Sequence, residues 1–290
     1  MKIGWVDNFA RQGVKLTIEK LLATKPPNFE IVQLLGSHFD RLCDLYICTD
    51  ISECSHPNWD FIANHPHIFY LQDYMLMPYE WQRLRVAQMI STANLVIFQS
   101  PMHQEEFTRL HHGLRRLKYP SLALCPATVD TSLFFSLPGD EEHPKQKRKR
   151  SSVLWAGGSF SPRKGIQLAV DWATENDEYV DFYAYGKPPT FLTESKHCKV
   201  KDPVPYEYMP GVFQQYKKFL YLPVWKEPFG RVVAEAMLMG LEIITNDNVG
   251  IFSYPWGRNP LLVKRYLDEA PSAFWNAISK YTEKIKIRRW

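Results

Sequence analysis

Apolar residues along this chain fall into short runs that alternate with longer segments in which apolar positions recur with a helical period. The short runs predict buried strands at residues 2–6, 31–35, 44–48, 67–71, 94–99, 122–125, 153–155, 179–185, 220–224 and 242–245. The periodic segments predict helices at residues 13–22, 78–89, 166–172, 206–218, 232–239 and 271–290. Regular alternation of strands and helices indicates an α/β fold with parallel sheets covered by helices.

The alternation is interrupted once, by a polar, proline-containing and basic segment at residues 137–151. Such a segment is typical of a linker. The sequence therefore predicts a first domain at 1–136 and a second at 152–270. A helix at 271–290, aromatic on one face and basic at its end, is expected to pack back on the first domain.

Composition narrows the class of protein. The chain has 290 residues, of which 45% are hydrophobic and 23% charged, enough for two domains with their own cores and too apolar for a disordered chain. No apolar run is long enough to span a membrane, and residues 1–6 have the pattern of a strand, which differs from a signal peptide. Five cysteines without C-x-x-C spacing are expected to be reduced thiols in a cytoplasmic protein.

The net charge of +4 is unevenly distributed. Basic residues concentrate in two patches, at 115–118 and at 145–150. Such patches occur in solvated loops, and they also form the electrostatic footprint of proteins that bind nucleic acid or anionic membranes.

The most informative stretch is residues 226–237, K-E-P-F-G-R-V-V-A-E-A-M. A predicted strand precedes it and a predicted helix begins inside it. Backbone N–H groups of Phe229, Gly230 and Arg231 at the start of that helix would suit an anion such as phosphate. Glu227 lies on the loop, and Glu235 lies about one turn into the helix. A glycine at such a turn and a helical glutamate are each common for purely structural reasons, so the information lies in their combination.

That combination resembles the E-x7-E motif of nucleotide-sugar glycosyltransferases of retaining family 4. The resemblance implies that Glu227 contacts the donor sugar, that the backbone of Phe229 and Gly230, beside Arg231, holds the diphosphate, and that Glu235 binds the ribose. It also implies the GT-B fold, two Rossmann-like domains with a cleft between them. The second domain would hold the donor, most simply a UDP-sugar, and the first the acceptor.

A second donor-side element is the glycine turn Gly157-Gly158-Ser159, which follows a predicted strand. Glycines there let the backbone approach a diphosphate, whose charge Arg163 and Lys164 would neutralise. Family 4 carries the same P-R-K-G quartet before a helix. It usually has Gly-Arg where this chain has Gly157-Gly158, so the resemblance implies that Arg163 takes over from the missing arginine.

Acceptor-side candidates follow two strands of the first domain, because ligands bind beyond the carboxyl ends of parallel strands. Asp7 and Asn8 follow the first strand, and Gly13 is what is left of the glycine pair that family 4 carries in this loop. The strand at 67–71 leads into a second set, Gln72, Asp73 and Tyr74. Gln72 stands where many family members have a histidine. Asp73 has two interpretations, a general base for the acceptor hydroxyl or a cap of the following turn.

A second resemblance concerns the acceptor. The G-G-S-F turn at 157–160 and the segment 70–78 are similar to parts of the phage DNA β-glucosyltransferase. This likeness implies transfer to 5-hydroxymethylcytosine in double-stranded DNA. The basic patches would then bind the DNA phosphates. The protein would act in the cytoplasm of the phage's host. A flipped base would need an aromatic slot, for which the candidates are Trp59, Tyr74, Tyr79 and Trp81. The alternative acceptor is a cell-surface saccharide or a lipid-linked sugar.

Several alternatives stay open at this point. An Asp73 base would invert the anomeric centre, whereas family 4 chemistry would retain it. A nucleotide-sugar epimerase on the same fold, or a donor-binding protein without catalysis, has the same donor motif. No Asp-x-Asp pair or His/Cys cluster has the spacing of metal ligands. We therefore expect no tightly bound metal and no cofactor beyond the donor. A loosely bound divalent ion remains an alternative. The oligomeric state is not predicted.

Overall fold

A computed structural model describes residues 1–6, 12–34, 42–49, 59–74, 87–110, 121–136 and 152–288. Several predicted features lie outside the described residues, namely Asp7, Asn8, Tyr79, Trp81, the linker at 137–151 and both basic patches. The described residues form two compact units. Unit one comprises Met1–Thr128 and Glu269–Trp290, and unit two comprises Val129–Asp268.

Unit one contains a six-stranded parallel sheet in the order β2-β1-β3-β4-β5-β6. Its strands are β1 (Lys2–Val6), β2 (Glu30–Leu34), β3 (Leu45–Cys48), β4 (His67–Tyr70), β5 (Leu95–Phe98) and β6 (Ser121–Leu124). Its helices include α1 (Gln12–Ala23), α2 (Trp59–Ala63) and α3 (Pro101–Leu110). β3, β4 and β5 are buried along their whole length, which explains why they are continuous apolar runs in the sequence.

Unit two contains a five-stranded parallel sheet in the order β11-β10-β7-β8-β9. Its strands are β7 (Ser152–Ala156), β8 (Tyr179–Tyr183), β9 (Cys198–Lys201), β10 (Lys218–Tyr221) and β11 (Glu242–Thr245). The chain runs from β7 outward to β9, then returns to the other side of β7 to form β10 and β11. The direction of winding therefore reverses between β7 and β10, which makes this pair the switch point of the sheet.

The helices of unit two differ from the prediction in more than one place. They are α4 (Ile166–Glu175), α5 (Thr190–Glu194), α6 (Met209–Phe213) and α7 (Arg231–Leu238). Helix α5 was not predicted. The single helix predicted at 206–218 is wrong: a 3-10 turn at Tyr206–Tyr208 and the short helix α6 take its place, and Lys218 already belongs to β10. Pro210 and Gly211 within this segment both disfavour a continuous helix.

Helix α8 (Pro260–Arg288) is much longer than the predicted helix at 271–290. Asn259 caps its start, where its Oδ1 atom accepts hydrogen bonds from the N–H groups of Leu261 and Leu262 at 3.0 and 3.2 Å. Pro271 lies inside the helix. Proline removes one helical hydrogen bond, which is why the pattern predicted a boundary there.

The part of α8 that belongs to unit one contributes to its core. The rings of Phe274 and Trp275 lie 5.8 and 6.1 Å from the ring of Trp5, and all three side chains are buried. The Trp275 indole N–H donates to the carbonyl of Leu21 at 2.9 Å. Burial of these aromatic rings compensates for the hydrogen bond that Pro271 removes.

One glycine in unit two is required by close packing. Gly165 has a φ of +72°, and an added β-carbon would lie 1.7 Å from the carbonyl oxygen of Leu222. The turn that follows β7 can therefore approach the loop that follows β10 only because residue 165 has no side chain. Gly186 also has a positive φ, +94°, but no atom lies within 4 Å of an added β-carbon there.

We expect Gly165→Ala to lower the free energy of unfolding by about 3 kcal/mol or more, because a steric clash adds to the left-handed φ. Gly186→Ala is the matched control. It is expected to cost about 1–2 kcal/mol, because it places a side chain at a left-handed φ without a steric clash. Urea denaturation of both variants measures the difference. Equal losses would contradict the packing argument.

Candidate active site

The switch point of unit two brings two loops together at the carboxyl end of the sheet. One loop follows β7 and contains the 3-10 turn Pro162–Lys164, and the other follows β10 and leads to Phe229. Hydrogen bonds join them, since the N–H groups of Val224 and Trp225 donate to the carbonyl of Arg163 at 3.0 and 3.4 Å. Such a junction is where open α/β sheets bind their ligands.

The junction contains an ion pair between two residues that the sequence had singled out. The Lys164 ammonium lies 2.6 Å from Oε1 of Glu227, and both side chains are largely shielded, with 31% and 17% of their surface exposed. The Tyr221 hydroxyl at the end of β10 also bonds to Glu227. Burial and the Glu227 charge raise the pKa of Tyr221 well above its ordinary value, so its hydroxyl stays a neutral donor.

The loop that carries Glu227 is held by the segment after β11. The N–H of Glu227 donates to the carbonyl of Asn248 at 2.7 Å, and its carbonyl accepts from the N–H of Gly250 at 3.0 Å. Gly230 has a φ of +87°, and an added β-carbon would lie 2.4 Å from Cγ1 of Val249. Asn248 and Val249 carry no sequence signal for this role, which depends on their contacts with Glu227 and Gly230.

Helix α7 begins directly after Gly230, one residue before its predicted start. No carbonyl among the described residues accepts a hydrogen bond from the N–H of Phe229 or of Gly230. These two groups and the helix dipole give this end of α7 a positive potential. The arrangement suits a diphosphate.

Glu235 lies on the buried face of α7 with 5% of its surface exposed. Its Oε1 accepts hydrogen bonds from the Tyr206 hydroxyl at 3.0 Å and from Nη2 of Arg231 at 3.3 Å. Burial, followed by the Glu235 charge, raises the pKa of Tyr206. Tyr206 was not a predicted site residue, because it lies 29 positions before Glu235 in the chain.

The glycine turn after β7 has an open surface. Gly158 and Ser159 are exposed, and the N–H of Gly157 donates to the carbonyl of Tyr183 at 3.0 Å. An added β-carbon at Gly158 would meet no atom within 4 Å, so packing within the protein does not require glycine there. Arg163 is also exposed, and its guanidinium stacks on the Trp225 ring at 4.0 Å from the ring centre.

In unit one, Gln72, Asp73 and Tyr74 follow the end of β4. Oε1 of Gln72 accepts a hydrogen bond from Nε2 of Gln99 at 2.5 Å. Oδ1 of Asp73 accepts from the N–H of Tyr74 at 2.7 Å, which is a local turn contact of the kind expected of a capping aspartate. Gly13 lies in the first turn of α1.

His103 is a buried residue that the sequence analysis did not consider. Its Nδ1 accepts from the N–H of Gln99 at 3.3 Å, and its Nε2 lies 3.2 Å from the carbonyl oxygen of Asp73. Both contacts fit a neutral ring with its proton on Nε2. Burial lowers the pKa of His103 to about 4. This histidine therefore orders the turn that carries Asp73.

Two candidates for an aromatic base-binding slot are core residues. Trp59 and Tyr74 are 7% and 3% exposed. Trp59 packs against Phe69 at 5.9 Å between ring centres, and Tyr74 packs against His103 at 4.8 Å.

Three further properties concern only the described part of the chain. It contains no group of three or more His, Cys, Asp or Glu side chains that could hold a metal ion. None of its helices is both long and apolar enough to cross a membrane. Its four cysteines, Cys43, Cys48, Cys125 and Cys198, are free thiols.

No protein-family model and no curated protein sequence matches the chain. Solved structures resemble it over nearly its full length. Anabaena Alr3699/HepE in complex with UDP and glucose matches with a TM-score of 0.66 and 15% identity, covering 98% of this chain and 95% of that one. Sucrose-phosphate synthase from Thermosynechococcus elongatus matches with a TM-score of 0.66 and 13% identity, covering 100% and 98%.

The lipopolysaccharide outer core galactosyltransferase WaaB, in its apo form, matches with a TM-score of 0.62 and 13% identity, covering 97% of this chain and 99% of that one. At these identities the likeness shows the fold. The predicted fold class is therefore confirmed: the chain has the α/β architecture of GT-B glycosyltransferases, with two Rossmann-like parallel sheets.

Because burial lowers the pKa of His103, we expect the folded protein to lose stability in acid. The neutral ring is favoured in the folded state, so its contribution is complete above pH 6.5 and is lost as the pH falls from 6.5 towards 4. Between pH 7 and pH 4.5 the wild type should lose about 2 kcal/mol more unfolding free energy than His103→Gln. Urea titrations at both values measure this. Between pH 7 and pH 8 the unfolding free energies of the two proteins should change by the same amount. If both proteins also lost the same amount between pH 7 and pH 4.5, the lowered pKa of His103 would be contradicted.

Proposed function

We propose that this protein is a glycosyltransferase of the family 4 type that takes a nucleotide-sugar donor in unit two. The observation that carries the proposal is the convergence at one switch point of the Lys164 ammonium, the Glu227 carboxylate and the start of α7. These groups supply a cation, a hydrogen-bond acceptor for sugar hydroxyls, and backbone donors for phosphate. A nucleoside diphosphate sugar needs all three.

The leaving group is the first requirement of the reaction. Breaking the bond between the sugar and the diphosphate leaves negative charge on the phosphate oxygens, which donors aimed at them stabilise. The N–H groups of Phe229 and Gly230 and the Lys164 ammonium are such donors. The open surface at Gly158 allows the backbone to approach the diphosphate closely.

The sugar is the second requirement. Glu227 is held in place by Lys164 and by the Tyr221 hydroxyl, so its carboxylate is already oriented before the donor arrives. A fixed carboxylate accepts hydrogen bonds from sugar hydroxyls without first losing side-chain entropy. For the nucleotide we propose uridine diphosphate, because HepE of the same fold was solved in complex with UDP and with UDP-glucose.

Glu227→Gln is expected to lower the rate of sugar transfer at least about 100-fold, since a neutral amide is a weaker acceptor and lies beside an unpaired Lys164. UDP release from a panel of UDP-hexoses, with and without acceptors, measures the rate. Affinity for UDP itself should change less than about threefold, because Glu227 is assigned to the sugar. Stability should fall by about 1 kcal/mol or less.

Glu194→Gln is the matched control, an exposed glutamate on α5 of the same unit, and should leave transfer unchanged. Full activity of Glu227→Gln would overturn the proposal. Conversion of the free nucleotide sugar without an acceptor would instead identify an epimerase.

For the acceptor we propose a saccharide or lipid-linked sugar hydroxyl. Two proteins with this fold carry names that refer to carbohydrate synthesis, a sucrose-phosphate synthase and a lipopolysaccharide outer core galactosyltransferase. The 5-hydroxymethylcytosine acceptor rests on the resemblance of 70–78 and 157–160 to phage enzymes. Of its aromatic slot, Trp59 and Tyr74 are buried in the core.

Competition between acceptors tests this choice. Radiolabelled donor should label a panel of saccharides and lipid-linked sugars and should leave hydroxymethylated duplex DNA unlabelled. Asp73→Asn should reduce transfer by less than about tenfold, because the Asp73 carboxylate accepts a hydrogen bond from its own turn. Nuclear magnetic resonance of the product should show a retained anomeric centre. Incorporation of the radiolabel into DNA would favour the hypothesis of a DNA acceptor. So would a product with an inverted anomeric centre whose formation requires Asp73.

A further inference from the structure

The carboxylate of Glu235 is held asymmetrically. Its Oε1 accepts two hydrogen bonds, from the Tyr206 hydroxyl at 3.0 Å and from Nη2 of Arg231 at 3.3 Å. Among the described residues, no donor bonds to Oε2. One oxygen is therefore fully engaged by the protein, and the other retains its capacity to accept hydrogen bonds.

Both partners of Oε1 are themselves held in place. The Tyr206 ring packs on Phe134 at 5.2 Å between ring centres, and the Arg231 guanidinium lies 5.5 Å from the centre of the Tyr206 ring. The side chains of Arg231 and Glu235 are only 16% and 6% exposed. A buried carboxylate needs such a cation, because an isolated buried charge is strongly unfavourable. The three groups form a compact unit, which we call the Glu235 clamp: Tyr206, Arg231 and Glu235.

The position of the clamp relates it to the diphosphate site. Glu235 lies on the same helix as the backbone donors near Gly230, about 7 Å further along the helix axis. In a nucleoside diphosphate the ribose is the group next to the phosphates, at a comparable distance. Its vicinal hydroxyls are hydrogen-bond donors and match an acceptor-only carboxylate.

We propose that Tyr206 and Arg231 are positioning residues for ribose recognition, and that they turn Glu235 into a sensor of the ribose hydroxyls. With Oε1 held, the carboxylate cannot rotate, and Oε2 is presented to the nucleotide in one orientation. A nucleotide that lacks the matching hydroxyl would cover this oxygen without giving it a donor, which is the basis of strong discrimination. The inference rests on the proposed donor site in unit two.

Binding of nucleotides alone tests the clamp without knowledge of sugar or acceptor. Isothermal titration calorimetry first identifies which of UDP, ADP and GDP binds the wild type most tightly. The same titration with the 2′-deoxy and 3′-deoxy forms of that nucleotide gives a discrimination ratio, the loss of affinity on removal of the more important hydroxyl. We expect a wild-type ratio of about tenfold or more.

Tyr206→Phe removes one hydroxyl and keeps the ring that packs on Phe134. We expect it to weaken binding of the ribonucleotide about fivefold and to leave binding of the deoxynucleotide within about twofold, so that the ratio falls. Tyr208→Phe is the matched control, since Tyr208 lies on the same 3-10 turn and is 65% exposed. It should leave both affinities and their ratio unchanged.

The outcomes separate the inference from the function on which it rests. If Tyr206→Phe binds the ribonucleotide with an unchanged discrimination ratio, the inference is overturned and the proposed function is not. The reason is that loss of a purely structural tyrosine would weaken the affinities for both nucleotides equally. If Tyr206→Phe does not fold, Arg231→Met, which keeps the apolar stem, gives the same ratio to compare. Failure of the wild type to bind any of the three nucleotides would overturn the proposed donor site and the inference with it.

Discussion

The contact between Gly165 and the carbonyl of Leu222 is the constraint on which the candidate site depends. It allows the turn after β7 to lie against the loop after β10, where the Arg163 carbonyl accepts hydrogen bonds from Val224 and Trp225. Only at this separation does the Lys164 ammonium reach Glu227. A side chain at residue 165 would part the two loops and separate the two charges.

Two ion pairs hold the carboxylates of the candidate site in unit two. Lys164 pairs with Glu227, and Arg231 pairs with Glu235. Each pair joins an anion suited to hydroxyl groups with a cation that offsets the cost of burying it. Prior pairing keeps the carboxylates oriented and limits the ordering needed on binding.

The two cationic residues of the P-R-K-G quartet have different environments, although they are adjacent in sequence. Lys164 points to Glu227 at the switch point, whereas Arg163 is exposed and stacks on Trp225. The expectation that Arg163 replaces the arginine missing at Gly158 therefore stays a prediction. Arg231, the first residue of α7, is a buried cation, and Tyr206, which shares Oε1 of Glu235 with it, comes from a segment that the pattern had assigned to a continuous helix.

The sequence by itself determined the α/β class, most strands, and the strand, turn and helix around Glu227 and Glu235, because short apolar runs and a glycine turn are local signals. It did not identify β9, whose C-K-V-K residues lie at a sheet edge with only partial burial. The capped start of α8 at Asn259-Pro260 was readable but was outweighed by Pro271. Only the tertiary structure decided that Tyr206, Tyr221, Asn248 and His103 support candidate residues. Tyr206, Asn248 and His103 act across sequence separations of more than 20 residues, and such contacts follow from the winding of the sheets, which local propensity does not specify.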